Sequence, residues 1–376
     1  MKAALLGYGT IGKGVEILAR QVPGLEIKNV FVLPEFEDLP YFTSDGHQVV
    51  TDPEIDIVFE CLSGTEPANT LITEALKAGK HVITSNKATV SPNLDRYVKL
   101  AEENGGSIQI EAAVAGGIPF LDALLKLSLL EDLEGYEGIF NGTSNYILDK
   151  MQKEGADYAA ALKEAQEKGY AEYDPANDVE GWDVFYKATI ANSLAYKNYN
   201  PEIRNPLGIS RLNLDDIRKA KEENKIIRHI ARSVQKDGKF DTIIAPVFLD
   251  KEDYLAAVPS NYNAQLIYAP SFEKLGYFGQ GAGRFATAQA MLANAIDTLN
   301  DTERRIVLDR KLEYDPTLIK EDWIVRTAAD LSGMENLVNS EPANDHEKFW
   351  FFRGRNSELI DQVQAKDKDA MIALWR

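Results

Sequence analysis

The chain opens on a short apolar run, Lys2 to Leu6, that breaks at GYGTIGKG and resumes at helical spacing through Val15, Ile17 and Leu18 up to Arg20. A brief apolar run closed by glycine reads as a buried strand, and the i, i+3 pattern after it reads as a helix. The alternation continues with EIKNVFVL as a strand, DIVFECL as a strand ending at Ser63-Gly64, PANTLITEALKAG as a helix and KHVITSN as a strand. Strands alternating with helices predict an α/β fold with a parallel, doubly wound sheet.

The order strand, GYGTIGKG, helix gives the glycines a task. Gly7, Gly9 and Gly12 form GxGxxG: the first permits a tight turn, the second lets backbone approach a pyrophosphate, and the third lets helix and strand pack closely. The backbone N–H groups of Thr10, Ile11 and Gly12 then open a helix whose dipole favours the phosphates. The sheet is therefore read as Rossmann-type, and ligands of such sheets lie at the carboxyl ends of the strands. That rule places Ser63 and Gly64, and Lys87 after the next strand, on the cofactor side. On spacing alone, a solvated lysine after a strand is an equally good account of Lys87.

The end of the second strand selects the cofactor, because a free ribose hydroxyl suits an acid and a 2′-phosphate suits a base. FVLPEFEDLP offers Glu35, Glu37 and Asp38 and no basic residue, so NAD(H) is expected over NADP(H).

The middle of the chain changes character. GSIQIEAAVAGGIPFLDALLKLSLL reads as strand, glycine-rich loop and a helix from about Phe120, with Glu111 beside the loop. Such a loop exposes carbonyl groups that suit a monovalent cation, and equally provides packing space. LEGYEGIF reads as a strand, and NGTSNYILDKM as a turn at Asn141-Gly142 followed by a helix capped by Thr143 or Ser144. In GYAEYDPANDVEGWDVFYKATIA, Asp178 or a neighbour is expected to cap a helix. On that helix Asp183 and Lys187 stand four apart, one turn from each other. An i,i+4 pair is usually a solvated ion pair worth a few tenths of a kcal/mol. Here Trp182, Val184, Phe185, Ala188 and Ile190 surround it, which points to a buried lysine, and buried lysines often carry chemistry. A dehydrogenase reducing an aldehyde needs a proton donor of this kind. The acids Glu172, Asp174 and Asp178 suit a cationic amino group.

Further on, LDDIRKAKEENKIIRHIARSVQ reads as loop and helix, TIIAPVFL and QLIYAP as strands, and GQGAGRFATAQAMLANAIDTL as a glycine loop with a helix. The tail reads as strands at ERRIVLDRKLEYD, DWIVRTAADLSG and KFWFFRG, then a helix to the end.

The 376 residues are 44% hydrophobic and 27% charged, values of a globular protein large enough for two domains. A net charge of −18 without a basic block speaks against nucleic acid and anionic membrane, and favours a small-molecule partner. Cys61 is the only cysteine, the four histidines are scattered, and no apolar run suits export or membrane insertion. A cytoplasmic location is expected.

GYGTIGKGV, ECLSGTEPA, ALKAGKHVITSNKA, EAAVAGGIPF, GIFNGTSNYIL, GYAEYDPANDVEGWDVFYK and GQGAGRFATAQAML together resemble the homoserine dehydrogenase family, in order and spacing, from about Met1 to Leu299. The resemblance implies reversible NAD(P)-dependent conversion of L-aspartate 4-semialdehyde to L-homoserine, on the path to threonine and methionine. It implies Lys187 as the catalytic lysine, with Asp183 beside it, and Lys87 beside nicotinamide and substrate. Glu172, Asp183 and Gly169 match substrate-binding positions, with Asp178 among the acids there, and Ser63, Gly64 and Gly281 match cofactor contacts. Sodium held by backbone carbonyls at Glu111, Val114, Gly116 and Ile118 is also implied. Trp182, Phe185 and Tyr186 are bulkier than the family pattern, and Gln280 and Phe285 stand where prolines are common.

The expected organisation is a dinucleotide-binding domain over 1–115, completed by a returning helix at 284–299. An α+β substrate-binding and dimerisation domain over 116–283 follows, then a small C-terminal extension over 300–376. DWIVRTAADLSG faintly resembles the opening of a regulatory ACT domain; a plain appendage on a homodimer or higher homo-oligomer is the other reading. Two alternatives stay open: a dehydrogenase of the same fold for another small amino-alcohol, and a nucleotide-binding paralogue without catalysis.

Overall fold

The computed structural model describes residues 1–36 and 39–376, whose contacts form two units. The first holds Met1–Asp132, Thr189–Pro201 and Gly279–Lys311, and the second holds Leu133–Ala188, Glu202–Phe278 and Leu312–Arg376.

The first unit carries six strands: β1 (Lys2–Leu6), β2 (Glu26–Phe31), β3 (Phe42–Thr43), β4 (Ile57–Glu60), β5 (His81–Thr84) and β6 (Ser107–Gln109). They pair in the order β3-β2-β1-β4-β5-β6, all parallel. This is the Rossmann-type doubly wound sheet that the alternation predicts. The strand order reverses between β1 and β4, which opens a crevice at their carboxyl ends. Both strands are buried almost throughout, in keeping with their unbroken apolar runs. The helix Arg284–Leu299 belongs to this unit and crosses the helix Thr10–Ala19 closely. A Cβ on Gly14 would lie 2.8 Å from Arg284 Cγ and 3.1 Å from Ala288 Cβ.

The second unit carries the other strands: β7 (Gly135–Ile139), β8 (Lys225–Lys236), β9 (Lys239–Asp250), β10 (Asn263–Ala269), β11 (Glu273–Gly279), β12 (Glu313–Tyr314), β13 (Glu321–Thr327), β14 (Leu337–Pro342), β15 (Lys348–Arg355) and β16 (Met371–Trp375). They form one mixed sheet in the order β11-β10-β7-β8-β9-β16-β13-β15-β14, with β12 beside β9. Asp237 and Gly238, at φ of 52° and 76°, make the tight turn between β8 and β9. Along the central strands both faces of the sheet are covered, whereas the outer strands β11 and β14 are largely exposed. Ile230, Val247, Trp323 and Leu374 lie in one apolar cluster, and Ile227, Phe248, Ile324 and Ala373 lie in the other with Tyr146 and Met151.

Several elements differ from the sequence reading. Residues 225–236, expected as loop and helix, are strand β8, and only Leu214–Glu222 before them is helical. The segment ERRIVLDRKLEYD contributes only the two-residue β12, and the last stretch is a helix, Glu358–Gln364, followed by strand β16. The C-terminal residues Leu312–Arg376 belong to the second unit. β16 pairs in parallel with β9, Leu374 opposite Val247 and Trp375 opposite Phe248, so the C-terminal strands extend the same sheet. A bare β9 edge would leave buried backbone groups unsatisfied, and β16 supplies their partners.

Candidate active site

In the first unit the glycine turn has the geometry the sequence requires. Gly7 sits at φ 93°, and a Cβ on Gly12 would lie 2.1 Å from the Gly7 carbonyl oxygen, a space that only hydrogen fits. A Cβ on Gly9 would meet nothing within 4 Å, so this side of the loop is open for a ligand to approach. Gly9 precedes the helix Thr10–Ala19, whose first turn has no side-chain cap, and the N–H groups of Thr10, Ile11 and Gly12 are therefore presented there. These residues fit a pyrophosphate.

The loops after β4 and β5 are tied together within this unit. The Asn86 amide donates to the Gly64 carbonyl at 2.7 Å, and Thr89 Oγ1 donates to the same oxygen at 3.3 Å. Asn86 also caps the short helix that Lys87 opens. Glu60, at the end of β4, accepts the Leu62 N–H at 2.8 Å and the Thr84 hydroxyl at 2.5 Å, and burial pushes its carboxyl up. Ser63, Gly64 and Lys87 are thus brought onto one edge, the carboxyl ends of β4 and β5. Sequence reading passed over Glu60; an acid closing an otherwise apolar parallel strand was its signal.

Gly281 and Gly116 also meet. A Cβ on Gly116 would lie 2.6 Å from the Gly281 carbonyl group, and the Gly117 N–H donates to the Gln280 carbonyl at 3.2 Å. In the same loop the carbonyls of Glu111 and Ile118 accept the N–H groups of Val114 and Phe120. The Glu111 carboxyl accepts the Leu121 and Asp122 N–H groups at the start of the helix Phe120–Leu127, and burial raises it to about 8. Glu35 lies exposed in a turn, Pro34–Phe36, just beyond β2; Glu37 and Asp38 lie outside the described residues.

In the second unit, Asp183 and Lys187 stand in the first turns of the helix Trp182–Tyr196. Apart from the half-buried aromatics Trp182, Phe185 and Tyr186, this helix is buried along its length. Lys187, 8% exposed, donates to Asp183 Oδ2 and to the Phe140 carbonyl, each at 2.7 Å. The surface ion-pair reading of this pair is therefore excluded. An ammonium has three N–H donors, and the third has no partner among the described residues.

Asn141 completes the cluster. Its amide N–H groups reach Asp183 Oδ2 at 2.8 Å and Asp178 Oδ1 at 2.7 Å, while its carbonyl oxygen accepts the Ser144 N–H and caps the helix Gly142–Glu154. Asn141, rather than Thr143 or Ser144, is the cap. Asp178 lies within a short helical turn, Ala176–Val179, and the side chain that accepts a backbone N–H there is Asp174, from Ala176. Gly169, at φ 74°, ends the helix Tyr158–Glu167. The chain beyond it is fastened by Thr143 Oγ1 donating to the Tyr170 carbonyl at 2.5 Å and by Tyr170 packing edge-on to Tyr146. Glu172 is exposed on that loop. The structure thus gathers Asn141, Asp178, Asp183 and Lys187 into one hydrogen-bonded group, with Glu172 outside it.

Among the described residues no cluster of three or more His, Cys, Asp or Glu suits a metal ion, and no helix is long and apolar enough to cross a membrane.

Residues 7–111 match the sequence profile described as the NAD binding domain of homoserine dehydrogenase, and residues 119–296 match that described as homoserine dehydrogenase. The homoserine dehydrogenase of Bacillus subtilis (strain 168) is 33% identical over 318 residues, covering 80% of this chain and 73% of its own. That of Pseudomonas aeruginosa is 30% identical over 405 residues, covering 100% of this chain and 91% of its own. A crystal structure of a homoserine dehydrogenase from Thiobacillus denitrificans has a TM-score of 0.87 at 29% identity, covering 100% of this chain and 98% of that one.

The parallel dinucleotide-binding sheet and the profile matched over residues 7–111 define an oxidoreductase that uses a nicotinamide cofactor. The chain belongs to the homoserine dehydrogenase family.

Proposed function

We propose that this enzyme interconverts L-homoserine and L-aspartate 4-semialdehyde, with Lys187 as the proton donor and acceptor. The observation that carries the assignment is the buried Lys187–Asp183 pair, in which Lys187 keeps one N–H uncommitted. When bound, the reduced nicotinamide supplies the hydride that reaches the aldehyde carbon. Lys187 gives its proton to the aldehyde oxygen as negative charge develops there, and its positive charge stabilises that oxygen beforehand. Asp183 and the Phe140 carbonyl fix the direction of the remaining N–H. In the reverse direction the lysine accepts the hydroxyl proton. Asp178, Asp183 and Glu172 are negative charges that suit the substrate ammonium group.

For the cofactor, Gly7, Gly9, Thr10, Ile11 and Gly12 are assigned to the pyrophosphate, and Ser63, Gly64, Lys87 and Gly281 to the remaining contacts. NAD(H) is proposed over NADP(H), because the exposed Glu35 beyond β2 would repel a 2′-phosphate. A sodium ion would be held by the carbonyls of Val114 and Gly116, with the second lone pairs of those at Glu111 and Ile118. A homodimer and a cytoplasmic location complete the reading.

The test is to mix the purified protein with L-homoserine and either NAD or NADP, following absorbance of the reduced cofactor. Turnover faster with NAD supports both assignments. Absence of turnover while cofactor still binds would sink the proposed reaction.

A further inference from the structure

The residues that hold the start of the Trp182–Tyr196 helix extend behind it to a histidine. His229, in the middle of β8, is 2% exposed, and its Nε2 lies 2.9 Å from the Leu207 carbonyl oxygen. A carbonyl only accepts, so Nε2 carries the proton, and Nδ1 is left as a bare lone pair with no partner among the described residues. Burial pushes this imidazole down to about 4, even with the Asp183 charge acting in the opposite direction. The ring is therefore neutral at ordinary pH and has no task as an acid or base there.

The position of the ring explains why an imidazole is kept in an apolar interior. A Cβ built on Gly181, the residue just before the helix, would lie 3.2 Å from His229 Cε1, 3.4 Å from Nε2 and 2.9 Å from Pro206 Cβ. Gly181 has a φ of 87°, so the backbone makes its turn directly against the ring, two residues before Asp183. The segment after Pro206 is clamped on both sides. The Leu207 N–H donates to the Ile244 carbonyl of β9 at 2.9 Å, and the Ile209 N–H donates to the Val179 carbonyl at 2.7 Å. Between them Gly208 rides on the 179–180 backbone, where a Cβ would stand 2.3 Å from the Val179 oxygen. His229 touches both components: it hydrogen-bonds the 206–209 segment and packs on the 179–181 turn.

We propose that His229 is a positioning residue for the Asp183–Lys187 pair, holding the Gly181 turn in place through Leu207. The proposal rests on the functional reading of that pair given above. Without the imidazole the half-buried Leu207 carbonyl loses its side-chain donor, the 206–209 segment loses its tie to β8, and the turn that sets Asp183 gains slack. Displacements of about 1 Å at a reacting group can lower a rate by on the order of a hundredfold.

The test compares His229→Leu with His229→Gln, because a glutamine amide can still donate to Leu207 and a leucine cannot. Wild type is assayed in parallel with L-homoserine and NAD, alongside thermal melting and the cofactor dissociation constant. His229→Leu is expected to lose at least about tenfold in kcat/KM for homoserine, largely in kcat, with cofactor affinity unchanged. His229→Gln is expected to recover activity to within about threefold of wild type. If His229→Leu folds and keeps wild-type kcat, the proposal is overturned. If His229→Leu fails to fold, a loss of about tenfold or more in a stably folded His229→Gln overturns it equally. A wild-type enzyme that does not turn over homoserine would instead defeat the functional reading itself, which separates the two failures.

Discussion

Asn141 and Asp183 meet at 2.8 Å, and the same amide reaches Asp178 at 2.7 Å, so one neutral side chain keeps two carboxylates apart beside the lysine. Its oxygen meanwhile caps the Gly142–Glu154 helix. Removing it therefore has two separable consequences. Asn141→Ala should lower stability by about 2 kcal/mol, roughly half from the lost cap and the remainder from the two hydrogen bonds lost to Asp178 and Asp183. It should also raise the KM for homoserine. Denaturant titration reads the first effect and steady-state kinetics the second; a loss of stability with unchanged KM would show that the amide serves the helix alone.

The glycine turn separates folding from binding. Gly9→Ala should melt like wild type, since its Cβ meets nothing within 4 Å, yet bind cofactor more weakly because the methyl occupies the open approach. Gly12→Ala, whose Cβ would stand 2.1 Å from a carbonyl oxygen, should lower the melting temperature as well. Fluorescence titration with NADH alongside thermal melts distinguishes the two. Wild-type cofactor affinity in Gly9→Ala would move the pyrophosphate away from that loop.

Cofactor choice is assigned to the turn beyond β2. Glu35→Arg should raise the ratio of kcat/KM for NADP over NAD by about tenfold, by exchanging repulsion for attraction at a 2′-phosphate. An unchanged ratio in the variant would take Glu35 out of the selection.

His229 gives a pH dependence with a definite sign. Its folded pKa of about 4 lies below the ordinary 6.5, so between these values the unfolded chain binds more protons than the folded one. Stability from this group is fully present above pH 6.5 and is lost as pH falls towards 4. Over that window wild type should lose on the order of 3 kcal/mol more than His229→Gln, which cannot titrate. Parallel slopes in denaturant titrations of the two proteins would contradict a buried neutral imidazole.

The turns and the i,i+4 pair were legible in the sequence because each depends on local rules. Gly7 to Gly12 is a spacing, and Asp183 and Lys187 share a helix face whatever else the chain does. Strand β8 was not legible, since Ile227 through Ala231 are all buried and both faces of the sheet are covered there, which erases the two-residue alternation. Arg228 and His229 are polar residues inside that run. They are buried side chains with distant partners: Arg228 bonds Asp149 and the Ala256 carbonyl, and His229 bonds Leu207. The bridging by Asn141 has the same origin, because Asp178 and Asp183 reach it only after some forty residues of chain have folded back. Side chains recruited through tertiary contact leave little trace in local pattern.

The most direct test of the account is the turnover of Lys187→Ala, measured with saturating L-homoserine and NAD alongside its cofactor dissociation constant. The assignment of Lys187 as proton donor and acceptor predicts that turnover is lost by at least about a thousandfold while cofactor binding stays near wild type. A variant that binds cofactor and still turns over homoserine within about tenfold of wild type would contradict it.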